Sequence, residues 1–156
     1  MYPHACGQSL LEKTRAGVGR AHSAAMKNAE IPSARPESVL VVDDDVQCRR
    51  LIIRMLRELG YRTTHEARSA AEALLFLSHT SPTIVLTDIV MERHDAGLAV
   101  VARARAAGIP VAFVSGAPSW SKDAELCSVP GVLKEELSLA SLAKLLADLI
   151  ASRGTP

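Results

Sequence analysis

The chain has 156 residues, 48% hydrophobic and 22% charged, with 18 Lys and Arg against 17 Asp and Glu for a net charge of +1. That length suits a single self-sufficient hydrophobic core, and the near-neutral balance excludes a nucleic-acid or anionic-membrane partner held by bulk electrostatics. No apolar run reaches the roughly 18–20 residues that span a bilayer, and the N-terminus lacks the compact apolar region of a signal peptide, so a cytoplasmic protein is expected.

Residues 1–37 scatter Pro3, Gly7, Gly17, Gly19, Pro32 and Pro36 among polar residues and alanines, which predicts a flexible N-terminal extension. A transient helix over residues 8–29 would have only Leu10, Leu11, Val18 and Met26 to bury. Two readings stay open: an unstructured leader, or a start codon upstream of a true start at Met26. From Ser38 the pattern turns regular, with short Val- and Ile-rich runs alternating with segments of helical period, as βα units around a parallel sheet require. The runs lie at residues 39–42, 61–65 (a weak one), 83–87, 111–114 and 131–133. Leu51, Ile52, Met55, Leu56 and Leu59 form the first helical stripe, which Gly60 ends. Leu74 with Leu77, and then Leu98, Val101 and Ala102, make two more. The fourth helix must fit between Pro118 and Pro130 and is predicted to be short or mobile. The last stripe, Leu139, Leu142, Leu145, Leu146, Leu149 and Ile150, follows Ser138 as its N-cap. The globular domain is therefore expected over residues 38–152, with 153–156 as a C-terminal tail. Cys6, Cys48 and Cys127 have neither C-x-x-C spacing nor a neighbouring His at ligand spacing, and free thiols fit a reducing compartment.

Ligands of an open parallel sheet bind outside the carboxyl ends of its strands. The first run ends in Asp43, Asp44 and Asp45, the third in Asp88, the fourth in Ser115 and the fifth in Lys134. One Asp after a strand is commonly only a helix cap, but several such polar ends converging on one pocket suit acyl-phosphate chemistry at a carboxylate. Clustered carboxylates repel one another and call for a hard cation such as Mg²⁺. Asp88 would then be the nucleophile of an in-line displacement, with Lys134 and Ser115 donating to phosphoryl oxygens.

Residues 41–45, 86–91, 110–115 and 133–134 stand in the order and approximate spacing of response-regulator receivers, and residues 38–152 resemble that family. The resemblance implies a flavodoxin-like (βα)5 doubly wound parallel sheet with strand order 2-1-3-4-5. It implies phosphorylation of Asp88, an Mg²⁺ site formed by Asp43, Asp44, Asp88 and the Val90 main-chain carbonyl, and supporting roles for Ser115 and Lys134. It also implies a histidine kinase or histidine phosphotransfer protein as phosphodonor, an unknown downstream protein, no DNA or membrane partner, and a monomer or weak dimer. There are departures. Glu92 and Glu135 stand where prolines are usual, the loop at residues 93–97 is one residue longer, and Gly131 replaces the usual switch aromatic. The 115–134 segment is also short. That segment and residues 110–116 resemble the P-F-x-F-A-T-G-Y receivers served by HWE-type histidine kinases.

Two other functions compete. An Mg²⁺-dependent phosphohydrolase would read residues 43–45 as D-x-D, and a receiver-like interaction module would never take phosphate. A transcription factor is disfavoured because no helix-turn-helix follows before Pro156. His4, His22, His65, His79 and His94 show no ligand spacing, and His94 is read as an exposed loop residue near the pocket. Arg49, Arg50, Arg54 and Arg57 read as a solvated face of the first helix, with Arg49 and Arg50 as candidates to touch the histidine-bearing partner. With Gly131 unable to act as a switch, the moving part is expected after Ser115, where Trp120 would report it.

Overall fold

The computed structural model describes residues 37–93, 95–117 and 128–152. The predicted extension through residue 36, the fourth helix, His94, Trp120 and the tail at 153–156 lie outside the described residues. The elements run β1 (Ser38–Val42), α1 (Val46–Glu58), β2 (Thr63–Ala67), α2 (Ala70–His79), β3 (Ile84–Thr87), α3 (Ala96–Ala106), β4 (Val111–Ser115), β5 (Gly131–Leu133) and α4 (Leu139–Ala151), with a 3-10 turn at Lys134–Glu136.

All strand pairs are parallel and the order is β2-β1-β3-β4-β5, the flavodoxin-like arrangement expected. β1, β3 and β4 are covered on both faces, which is why their sequences are continuous apolar runs and do not alternate. Along β1 the alternation of side chains separates two cores. Leu40 and Val42 pack with Leu77, Val100, Val101 and Phe113 under α2 and α3. Val39 and Val41 pack with Ile52, Leu56, Leu142 and Leu146 under α1 and α4.

Local signals set the boundaries. Gly60 (φ 93°) and Gly108 (φ 67°) take left-handed conformations just past α1 and α3. In both places the two N–H groups after the cap return to the last helical turn, Gly60 to Arg57 O and Tyr61 to Leu56 O in the first case. This double bond satisfies carbonyls that would otherwise be orphaned. Ser138 caps α4 as expected, in a reciprocal box with Ser141.

Three expectations are corrected. β2 begins at Thr63 and not at residue 61, because Tyr61 is consumed in closing α1 and its side chain enters the core. In α3 the buried residues are Ala96, Gly97, Val100, Val101 and Ala104, whereas Ala102 is exposed. An alanine-rich helix gives little polar contrast to reveal its inner face. The third correction is Arg49, which is buried and does not belong to a solvated face.

Candidate functional site

The four strand ends meet. Val42 pairs with Thr87, Thr87 with Phe113, and Ser115 with Leu133. The residues that follow or end these strands, Asp43, Asp88, Ser115 and Lys134, therefore share one edge of the sheet. Asp88 N donates to Val42 O at 2.9 Å and Asp43 N to Ala67 O at 3.1 Å, so the ladder runs one residue into the site and fixes both backbones.

Asp88 is 4% exposed and both of its carboxylate oxygens are engaged. Oδ1 accepts from Ser115 Oγ at 2.7 Å and from Val90 N at 3.2 Å, and Oδ2 accepts from Lys134 Nζ at 2.6 Å. Buried carboxylates are costly unless paired in this way. Lys134 Nζ also lies 2.8 Å from Asp43 Oδ2, an ion pair in which that buried oxygen receives no aligned hydrogen bond. Burial works against the ammonium charge of Lys134, but the neighbouring Asp43 and Asp88 carboxylates outweigh it, and its pKa is raised above the ordinary lysine value.

Ligand oxygens of Asp43, Asp44 and Asp88 all lie within 4.8 Å of one another, with Asp44 exposed at the mouth. Asp43 Oδ1 accepts from Asp45 N at 2.8 Å, which leaves Oδ2 facing the cluster. An oxygen-only donor set with one poorly satisfied buried oxygen and an open side fits a hard divalent cation that keeps several waters. Asp45 turns away. Its Oδ1 caps α1, accepting from Gln47 N at 2.8 Å and Cys48 N at 3.4 Å, and those bonds lower its pKa. The Cys48 thiol is pushed up to about 12 by its burial and by Asp43, so it stays protonated.

Three contributors escape sequence reasoning. Gly97 lies so close beneath the site that a Cβ there would fall 2.0 Å from Asp88 O and 2.7 Å from Ile89 Cα. Gly97 N donates to Ile89 O at 3.0 Å. Glu92, on the loop after Asp88, accepts from Ala70 N at 3.1 Å at the start of α2. Arg49 Nη1 donates to Asp43 O at 2.7 Å and its Nε to Glu66 Oε2 at 2.9 Å. A signal for Arg49 was present, because Arg49, Ile52, Ile53 and Leu56 share the i, i+3, i+4, i+7 spacing of one buried stripe.

A family profile described as "Response regulator receiver domain" matches residues 39–132. The transcriptional regulatory protein PdtaR of Mycobacterium tuberculosis is 35% identical over 63 residues, which are 40% of this chain and 31% of that protein's length. A response regulator receiver protein from Pseudomonas putida aligns with a TM-score of 0.62 at 28% identity, covering 74% of this chain and 99% of that one. The receiver domain of Erythrobacter litoralis PhyR aligns with a TM-score of 0.66 over 77% of this chain and 94% of that one, and its 19% identity speaks for the fold alone.

Proposed function

The chain belongs to the response regulator receiver domain family, a signalling domain of two-component systems, and we propose that it accepts a phosphoryl group on Asp88 from a histidine kinase or histidine phosphotransfer protein. One observation carries this reading: a buried carboxylate at the end of β3 whose two oxygens are held by the Ser115 hydroxyl and the Lys134 ammonium, 2.7 and 2.6 Å away. These donors stand where phosphoryl oxygens would arrive, so the charge developing there meets groups already in position. In the transfer one Asp88 oxygen forms a bond to phosphorus as the bond to the donor imidazole breaks. Lys134, kept protonated, balances the added charge.

Asp43, Asp44, Asp88 and the Val90 main-chain carbonyl would hold Mg²⁺. When bound, it supplies positive charge against the phosphoryl oxygens. The chain's own residues orient and desolvate Asp88. Signalling then runs through protein contact with a downstream partner, within a receiver we delimit at residues 38–152. The likeness of Pro110 to Gly116 to the P-F-x-F-A-T-G-Y pattern supports a kinase of the HWE type as the donor.

A D-x-D phosphohydrolase finds no support, because Asp45, the second aspartate of that motif, is occupied in capping α1. The test is labelling of wild type and Asp88→Asn with acetyl phosphate or a purified histidine kinase, in Mg²⁺. Label released by hydroxylamine, as from an acyl phosphate, is expected on wild type and none on the variant. Undiminished label on Asp88→Asn would overturn the assignment. A folded, Mg²⁺-binding wild type that takes no label from any donor would favour a phosphate-independent interaction module.

A further inference from the structure

Arg49 is 9% exposed, and a buried guanidinium is retained only where its donors are satisfied. It sits at the start of α1, where side chains lean back toward the helix N-terminus, and this brings Nη1 to the main-chain oxygen of Asp43 at 2.7 Å. Its other anchor is Glu66 Oε2 at 2.9 Å, on the edge strand β2. The next residue of that strand, Ala67, receives the N–H of Asp43 at 3.1 Å. Asp43 is thus held through its N–H, through its carbonyl and, at Oδ1, through Asp45 N at 2.8 Å. Only Oδ2 is left to face Lys134 and the acidic cluster.

We propose that Arg49 is a positioning residue for the divalent-cation site: braced by Glu66, its guanidinium fixes the Asp43 backbone so that the Asp43 carboxylate meets those of Asp44 and Asp88. The proposal rests on the Mg²⁺ site of the preceding reading. It gives Arg49 no part in partner contact and leaves the exposed Arg50, Arg54 and Arg57 for that face.

Charge and position act in opposite directions here, and that makes the proposal testable. As a mere positive charge, Arg49 repels Mg²⁺, so removing it would tighten binding. As a brace, its removal releases Asp43 and weakens binding. Mg²⁺ affinity is measured by isothermal titration calorimetry on the full chain, at a temperature where circular dichroism finds each variant folded. Arg49→Met is expected to raise Kd about tenfold, as loss of a group that orients a metal ligand does. Arg49→Lys keeps the charge, but a single ammonium cannot span Asp43 O and Glu66, so its Kd rises too. An unchanged or lower Kd in a folded Arg49→Met overturns the proposal, as does an unchanged Kd in Arg49→Lys, which decides the matter if the Met variant does not fold. Wild type that binds no Mg²⁺ would instead remove the cation site itself, and the proposal with it.

Discussion

Gly97 packs directly against the main chain of Asp88 and Ile89. With a Cβ 2.0 Å from Asp88 O, Gly97→Ala must displace backbone and not a flexible side-chain end. Overpacking of this kind costs about 1–3 kcal/mol, and the shift falls on the residue that must present its carboxylate. Urea unfolding should register the loss, and labelling of Asp88 should fall while the protein is still folded; full labelling in that variant would show that the backbone can yield. Lys134 sets a different balance. Its raised pKa means the folded state holds the proton more tightly than the unfolded chain, so its pairing contributes fully below the unfolded lysine value and is lost only as pH rises through the raised one. Between neutral pH and about pH 9 no loss of stability is expected from this group. Lys134→Met should cost about 3–5 kcal/mol, since it leaves buried Asp43 and Asp88 without their cation. Millimolar Mg²⁺ should then raise the melting temperature more in the variant than in wild type, and an equal rise in both would mean that the cation does not replace the lysine. Asp43, Asp88, Ser115 and Lys134 were legible in the sequence because each is a polar residue that breaks off an apolar strand. Gly97 and Arg49 were not, since one acts through the absence of a side chain and the other resembled a surface charge.

Among the elements, the loop after β3 is tied at both ends. Gly97 N bonds back to Ile89 O at 3.0 Å, and the Glu92 carboxylate reaches Ala70 N at 3.1 Å in the first turn of α2. A carboxylate there satisfies an otherwise free helix N–H and opposes the positive end of the helix dipole. Glu92 thereby ties down the loop after β3. Glu92→Ala is expected to lower stability by about 0.5–1 kcal/mol, and Glu92→Gln, which keeps the acceptor but not the charge, by less. Equal losses measured by chemical denaturation would mean that charge plays no part. Elements with strong contrast were readable in advance. α4 carries a long leucine stripe behind a serine cap, and the central strands are unbroken apolar runs. β2 was misplaced by two residues because an edge strand with the burial pattern of Thr63–Ala67 needs few apolar positions. The inner face of α3 was misread for want of polar residues to mark its outside.

For the molecule as a whole, the resting site holds both Asp88 oxygens in bonds that phosphorylation there would rearrange. Ser115 Oγ and Lys134 Nζ both serve Asp88 now, and on the proposed function both would turn to phosphoryl oxygens once one Asp88 oxygen carried phosphorus. Each charge-assisted bond is worth roughly 1.5–3 kcal/mol. The new bonds replace those that the same donors already make to the Asp88 carboxylate, so the energy that drives the change is the difference between the two sets. The connections determine where that energy goes. Ser115 Oγ also accepts from Ala117 N at 3.4 Å, so movement of the hydroxyl draws on the chain leaving β4. Lys134 opens a 3-10 turn whose Leu137 N returns to Lys134 O at 3.3 Å, just before the Ser138 cap of α4. Gly131 places no side chain between these two routes. β2 and α2 lie on the other side of β1 and β3 and share neither bond. With Mg²⁺ and beryllofluoride as phosphoryl mimic, backbone amide resonances of residues 115–117 and 134–138 should shift strongly while those of residues 74–79, in the far half of α2, stay in place. Asp88→Asn should abolish the response, and Ser115→Ala should remove its β4 half while sparing the turn after Lys134. A bound mimic whose effects stop at residues 88–91 would show that the energy is spent within the site and never reaches a partner-facing surface.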